Sequence, residues 1–328
     1  MGKVVKSKYS GKSIAIVLPA YNEELTIAET IKSFYEQIPE ANFYVVNNCS
    51  TDRTEEISLE TFAELGCDGI VINENRKGKG NALRRAFLEI EADVYVLSDA
   101  DMTYPADRVD DLIAPVLNST ADIVVGDRHS GGHYGQENKR MLHNFGNNLV
   151  RNLVNYFFNS SLKDIMSGYR AISKRFVKNY PILVEAFEIE TDMTLHALDK
   201  RFRIVEVSVE YKDRPEGSVS KLNTISDGAK VLFTILRILR YYKPLFFFGT
   251  CALLLASTGF LVGLPVIFEW LEFRYIKHLP LAVLATGIEI IAFIFMSIGL
   301  LLDSVVHLDK NAFERALLKN DEKKYLGK

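Results

Sequence analysis

Short apolar runs alternate with longer mixed segments over the first two-thirds of the chain. The runs lie at 14–18, 43–46, 69–72, 94–97 and 122–126, and the segments between them, near 24–36, 53–65, 79–91 and 107–118, carry helical spacing. The runs do not alternate polar with apolar, so each reads as a strand buried on both faces. Strands separated by helices of that length predict βαβ units and an α/β fold with a mostly parallel sheet. Ser50-Thr51-Asp52 supplies an N-cap for a helix beginning at Arg53. No internal repeat is visible.

Past residue 220 the pattern changes. Residues 245–268 form 24 positions without a charge, and 279–302 form another 24 with only Glu289 charged. Each exceeds the roughly 20 residues that cross a bilayer core, so two transmembrane helices are predicted. Ahead of them, Ile225, Ala229, Leu232, Ile235, Leu236 and Leu239 share one helical face, opposite Lys230, Thr234, Arg237 and Tyr241. That is the pattern of an amphipathic helix in the headgroup plane, or of a helix packed on a core. The expected organisation is an α/β domain over 1–220, an interfacial helix over 221–243, a two-helix anchor over 244–306 and a tail over 307–328.

Charge orients this arrangement. Residues 212–243 carry seven Lys/Arg against three Asp/Glu, the tail after Leu308 carries six against four, and the loop 269–278 is balanced. The positive-inside rule then places both flanks, and the large N-terminal domain, on the cytoplasmic side of the cell membrane. Glu289 in mid-span is read either as a functional group or, with Ala285 and Gly287 nearby, as a contact between helices or between copies in a homo-oligomer. The formal net charge of −3 gives no footprint for nucleic acid. Cys49, Cys67 and Cys251 form neither a CxxC pair nor an even disulfide framework, which fits a reducing compartment. His129 and His133 are four apart without an HExxH acid, so zinc is not supported.

Four predicted strand ends carry chemistry. Pro19-Ala20-Tyr21-Asn22-Glu23 follows the first strand, where Tyr21 offers a ring face and Glu23 an acceptor for a sugar hydroxyl; a helix-capping turn reads equally well. Asn48, in the polar run that reaches Asp52, follows the second strand and fits either a pyrimidine edge or an Asx turn. Arg76-Lys77-Gly78-Lys79-Gly80 opens a helix in a manner suited to a diphosphate, without the spacing of a Walker A loop. Asp99-Ala100-Asp101 follows the fourth strand. Two carboxylates at i and i+2 there suit a divalent cation holding a phosphate-bearing substrate, or form an ordinary acidic turn.

Taken together these segments resemble the family 2 glycosyltransferases of GT-A fold. Within them they resemble the polyprenyl-phosphate glycosyltransferases, over roughly residues 12–306. The resemblance implies transfer, with inversion, of one sugar from a UDP-sugar, UDP-glucose or UDP-N-acetylglucosamine, to polyprenyl phosphate at the cytoplasmic face of the bilayer. It implies that Pro19, Ala20, Tyr21, Asn22, Glu23, Asn48, Asp52, Lys79, Asp99, Ala100, Asp101 and Arg214 bind the nucleotide-sugar, with Asp99 and Asp101 holding Mg²⁺ or Mn²⁺. Thr103 stands where a longer amide often serves as a further ligand. Arg128, Arg140, Asn144, Ser220 and Lys221 match segments that grip the acceptor phosphate. Asp164-Ile165-Met166-Ser167-Gly168-Tyr169-Arg170 matches a D-x-x-S-G-[FY]-R stretch, and Asp192 matches an acid near the reacting centre. Asp101, Arg128, Arg140 and Asp192 are thus the expected catalytic residues. A phosphate acceptor is already a nucleophile, so Asp192 is read as an orienting group. Two rivals remain at this level: a polysaccharide synthase, whose QxxRW motif this chain lacks since its only Trp is Trp270, and a non-catalytic nucleotide-sugar-binding scaffold.

Overall fold

The computed structural model describes Tyr9 and residues 11–130, 141–185, 188–212 and 227–326. They form two compact units, 1–225 and 226–328, each described by itself. The first unit is built on a seven-stranded sheet: β1 Ile14–Ala20, β2 Asn42–Asn47, β3 Ile70–Asn73, β4 Val94–Leu97, β5 Ile123–Asp127, β6 Arg170–Ser173 and β7 Ile204–Ser208, in the order β3-β2-β1-β4-β6-β5-β7. Helices α1 Ile27–Gln37, α2 Thr54–Leu65, α3 Lys79–Glu89 and α4 Val109–Leu117 connect the strands close to the predicted limits. They are followed by α5 Met141–Phe158, the short α6 Lys174–Val177 and α7 Ile189–Asp199.

The apolar runs are strands because both faces of the sheet are covered. Val94, Tyr95, Val96 and Leu97 are all buried, and so are four residues of α1 at helical spacing, Ile27, Thr30, Ile31 and Phe34. The sheet is mixed rather than uniformly parallel. β6 runs antiparallel between β4 and β5, pairing Leu97 with Arg170 and Val125 with Arg170, while β7 extends the edge parallel to β5. Neither β6 nor β7 stood out as an apolar run, since Arg170 opens one and Glu206 interrupts the other.

Strand order positions the site. The chain builds β1, β2 and β3 outward to one side, then returns so that β4 pairs with β1 on the other. The carboxyl ends of β1 and β4 therefore flank the switch point of the sheet, the crevice where open α/β sheets take their ligands.

The second unit holds α8 Asp227–Tyr242, α9 Pro244–Phe273 and α10 Leu279–Leu326. Both long helices have the length and composition of membrane spans and leave most of their apolar side chains uncovered, Leu253, Leu261, Phe293 and Leu301 among them. Both outrun their predicted spans, and α10 continues without a break into the expected tail as far as Leu326. Gly263 and Ala285 let the pair approach closely, and Glu269 closes the turn by pairing with His278 and accepting the Lys277 N–H at 3.0 Å. On α8 the most buried described side chain is Ile238, beside Thr234 and Tyr241 on the helix surface and off the predicted apolar stripe, whereas Leu236 within that stripe is exposed.

Candidate active site

Three strand ends beside the switch point carry a non-glycine residue in the left-handed region: Asn22 after β1, Cys49 after β2 and Met102 after β4, with φ of 53°, 60° and 61°. Such turns cost about 1–2 kcal/mol each and persist only where neighbours hold them. Here the segments brace one another. The Asn22 N–H donates to Ser50 Oγ at 3.0 Å, and Asn22 Oδ1 accepts the Thr51 N–H at 2.7 Å. The Glu23 N–H donates to Thr54 Oγ1 at 2.8 Å, and Thr26 Oγ1 donates to the Ala100 carbonyl at 2.8 Å. The first motif is thereby fastened to both the second and the acid pair.

Several predicted nucleotide contacts turn out to build this frame. Asn48 is buried, and its amide is engaged within the protein: Nδ2 donates to the carbonyls of Arg76 at 2.7 Å and Glu74 at 3.3 Å, and Oδ1 accepts the Gly78 N–H at 2.7 Å. It shapes the loop that leads to Lys79, and a base edge would have to displace those bonds. Asp52 precedes Arg53, the N-cap of α2, and accepts from the Thr54 N–H and hydroxyl, while its other oxygen accepts the Glu24 N–H at 3.1 Å. Ala20 lends its carbonyl to the Asn48 N–H at 2.8 Å, while Pro19 is half-buried in β1. Tyr21 carries Lys77, whose Nζ donates to the phenol oxygen at 2.9 Å and lies 4.3 Å from the ring centre.

At the acid pair the two carboxylates differ. Asp101 is buried, and its Oδ1 accepts the Thr103 N–H at 3.2 Å and the Thr103 hydroxyl at 2.6 Å. Thr103, standing where a longer amide often serves, is buried and donates to Asp101. Asp99 is more open, and its Oδ1 meets Lys79 Nζ at 2.5 Å. Lys79 also meets Glu190 Oε1 of α7 at 2.5 Å. Burial pushes the Lys79 ammonium down, but Asp99 and Glu190 outweigh it and hold the group above its ordinary value. Gly168 makes room for this cluster, because a Cβ there would stand 3.0 Å from Lys79 Nζ and 3.1 Å from Asp99 Oδ2. Hard carboxylate oxygens at i and i+2, one of them open beside a glycine, fit Mg²⁺ or Mn²⁺, which take one or two protein carboxylates and fill the remaining positions with water and substrate phosphate.

Backbone packing explains why glycines flank Lys79. Gly78 has φ of 132°, and the Gly80 N–H donates to the Glu185 carbonyl at 3.0 Å. A Cβ on Gly80 would stand 2.1 Å from the Val184 carbonyl oxygen. Gly80→Ala is expected to push α3 off the 184–185 segment and to lower stability by about 1–3 kcal/mol, read as a drop in melting temperature.

The D-x-x-S-G-[FY]-R stretch divides its work among three places. Asp164 accepts both arms of the Arg128 fork, from Nε at 2.7 Å and Nη2 at 3.0 Å. Burial pushes the Asp164 carboxyl up, yet Arg128 prevails and holds it below the usual carboxylate range. Glu206 fixes that carboxylate's backbone, accepting the N–H of Lys163 and of Asp164, each at 2.8 Å. Gly168 serves the acid cluster, and Arg170 is sealed in the core. Arg128, matched to a segment that grips an acceptor phosphate, thus pairs with Asp164 through Nε and Nη2. It lines a shallow open depression with His129, Asn148, Arg151 and Lys163.

Asp192 Oδ2 accepts the Tyr180 hydroxyl at 2.6 Å. Glu190 is the acid of that helix that reaches Lys79, and the sequence signal for it was the Glu188-Ile189-Glu190-Thr191-Asp192 run itself. Arg140, Arg214, Ser220 and Lys221 lie outside the described residues, as does the side chain of Asn144 on α5.

The family profile for glycosyl transferase family 2 matches residues 15–180, about half of the chain. Glycosyltransferase AglJ of Haloferax volcanii is 29% identical over 304 residues, covering 92% of this chain and 97% of its own. The dolichyl-phosphate hexose transferase of the same organism is 25% identical, covering 71% of this chain and 96% of its own. Among solved structures, glucosyl-3-phosphoglycerate synthase from Mycobacterium tuberculosis, in complex with Mn²⁺, uridine diphosphate and phosphoglyceric acid, superposes with a TM-score of 0.54 at 22% identity, covering 70% of this chain and 78% of that one. That likeness establishes the GT-A fold for the sheet and its switch point. With the profile spanning every strand from β1 to β6, this chain belongs to glycosyl transferase family 2.

Proposed function

We propose that this enzyme transfers one sugar, with inversion, from a UDP-sugar to polyprenyl phosphate at the cytoplasmic face of the cell membrane. One observation carries the reading: a family 2 glycosyltransferase fold and two long outward-facing apolar helices occur in the same chain. A bilayer anchor on a sugar transferase serves an acceptor that itself resides in the bilayer. The name of the Haloferax relative, a dolichyl-phosphate hexose transferase, supports a lipid-phosphate acceptor. The uridine diphosphate held by the mycobacterial neighbour supports the nucleotide. UDP-glucose and UDP-N-acetylglucosamine are the donors to try first.

In this reading Asp99 and Asp101 hold Mg²⁺ or Mn²⁺, which when bound neutralises charge on the departing nucleoside diphosphate. Lys79 and Arg214 supply further positive charge to the leaving diphosphate. Arg128 grips the acceptor phosphate together with Arg140, and Asn144, Ser220 and Lys221 contribute to the same role. That phosphate is mostly dianionic at neutral pH and needs no general base, so the chain contributes position and charge. Asp192 holds Tyr180 in place near the entry of α7. Residues 1–220 supply the catalytic domain, 221–243 rest on the headgroups, 244–306 anchor the chain, and copies associate through the spans.

The test is transfer of labelled sugar from each UDP-sugar to undecaprenyl phosphate, with Mg²⁺ or Mn²⁺, counted in the organic phase. Transfer from one of the two donors is expected; label absent from the lipid for every nucleotide-sugar overturns the reading. Arg128→Ala is expected to raise the KM for lipid phosphate about tenfold or more and to leave UDP-sugar binding unchanged. Because it also strands the buried Asp164 carboxylate, Arg128→Lys, which keeps the charge and loses the fork, is measured beside it. Lost nucleotide binding in both variants would refute the acceptor role.

A further inference from the structure

Lys79 has two carboxylate partners where one would compensate it. Its Nζ lies 2.5 Å from Asp99 Oδ1 and 2.5 Å from Glu190 Oε1. A buried ammonium needs one such partner, and the second carboxylate, Glu190, also lies in the field of the buried Arg170 guanidinium. The two partners are not alike. The Glu190 side chain is 8% exposed and closed in, whereas that of Asp99 is 31% exposed, with Gly168 keeping the space beside its carboxylate clear. Asp99 also belongs to the acid pair, two residues from the buried Asp101, and Glu190 comes from a different helix.

We propose that Lys79 is a resident counter-ion, occupying Asp99 until a divalent cation arrives, and that Glu190 is a positioning residue that retains the ammonium when Asp99 turns to the metal. This rests on the metal reading of the acid pair. In the metal-free protein the lysine compensates the charge of Asp99. When the cation binds, the lysine need not leave the site, because Glu190 already holds it. Lys79 therefore competes with the metal for one carboxylate oxygen, and Glu190 weakens that competition. The glycines on either side of Lys79 serve this arrangement, since Gly80 lets the start of α3 close onto the segment that leads into α7.

The experiment is Mn²⁺ binding to the full-length protein in detergent, without nucleotide, followed by the loss of the free Mn²⁺ electron paramagnetic resonance signal. Lys79→Met is expected to bind Mn²⁺ about tenfold more tightly than the wild type, because the competing cation is gone. Glu190→Gln is expected to bind several-fold more weakly, since Lys79 is then left with Asp99 as its only charged partner among these three. The double variant should lie within about threefold of Lys79→Met, because Glu190 acts through the lysine. Lys79→Gln is the second variant should Lys79→Met melt early. If both lysine variants bind Mn²⁺ no more tightly than the wild type, while the wild type binds it, the counter-ion exchange is wrong. Absence of Mn²⁺ binding to the wild type even with uridine diphosphate present would overturn the metal reading, and the exchange with it.

Discussion

Asp101→Asn is expected to lower sugar transfer about a thousandfold while leaving the melting temperature close to that of the wild type. The carboxylate is buried at the end of β4, and its Oδ1 already accepts from the Thr103 backbone and hydroxyl. Asparagine keeps that acceptor, so the left-handed turn at Met102 has what it needs. What the substitution removes is the negative charge, and with it much of the attraction for a divalent cation beside the leaving diphosphate. Steady-state transfer with saturating donor and acceptor measures the loss, and differential scanning fluorimetry measures the fold. Activity within tenfold of the wild type would mean that the acid pair is not at the reacting centre. Alanine is the poorer choice, because it strands the Thr103 hydroxyl and mixes a folding defect into the kinetics.

Arg170→Ala is expected to destabilise the catalytic unit by about 3–5 kcal/mol, more than any other single substitution in the motif stretch. The side chain is fully buried. Its Nε donates to the Ser167 carbonyl at 2.8 Å, Nη2 to the Ile165 carbonyl at 2.9 Å and Nη1 to Thr194 Oγ1 at 3.0 Å. Alanine removes those three donors, leaving the Ile165 carbonyl with the Thr194 hydroxyl at 3.3 Å, and opens a cavity beneath the strand that pairs with β4. Burial pushes the guanidinium below its ordinary value, but Glu190 and Asp164 act to keep it charged. Arg170→Lys is expected to recover only part of the loss, because one ammonium does not span three acceptors in a plane. Chemical denaturation monitored by fluorescence gives the comparison. A change below 1 kcal/mol would show that the Ile165–Ser167 turn holds itself.

The contrast between these two residues shows what a motif hides. Asp101 and Arg170 belong to patterns of similar prominence in the chain, yet one sits at the crevice and the other is sealed in the core. Asp164-Ile165-Met166-Ser167-Gly168-Tyr169-Arg170 looked like a single functional unit. In the fold its first residue steadies Arg128, its glycine clears space beside Asp99, and its last residue holds the turn that presents the other two. Asn48 makes the same point. Its amide suits a base edge in isolation, but the loop at Glu74, Arg76 and Gly78 lies closer and takes each of its polar atoms.

The sequence by itself determined the parts of this protein that depend on neighbours along the chain. Buried strands need short apolar runs, helices between them need one apolar face, and a bilayer span needs about 20 uncharged residues. The first five strands, the four helices that connect them and both long apolar helices were therefore legible, and so was an acid pair at a strand end. Only the tertiary structure decided what depends on residues far apart in sequence. The insertion of β6 between β4 and β5 puts Gly168 beside Asp99, some seventy positions away in the chain. Residues two apart on a helix face different ways, so whether Glu190 or Asp192 reached Lys79 turned on how α7 docks against α3. Thr103, adjacent to the acid pair, proved to hold Asp101 because a buried carboxylate takes the nearest hydroxyl available. Local periodicity reports which side of an element is apolar; the partners of a buried polar group are chosen by packing.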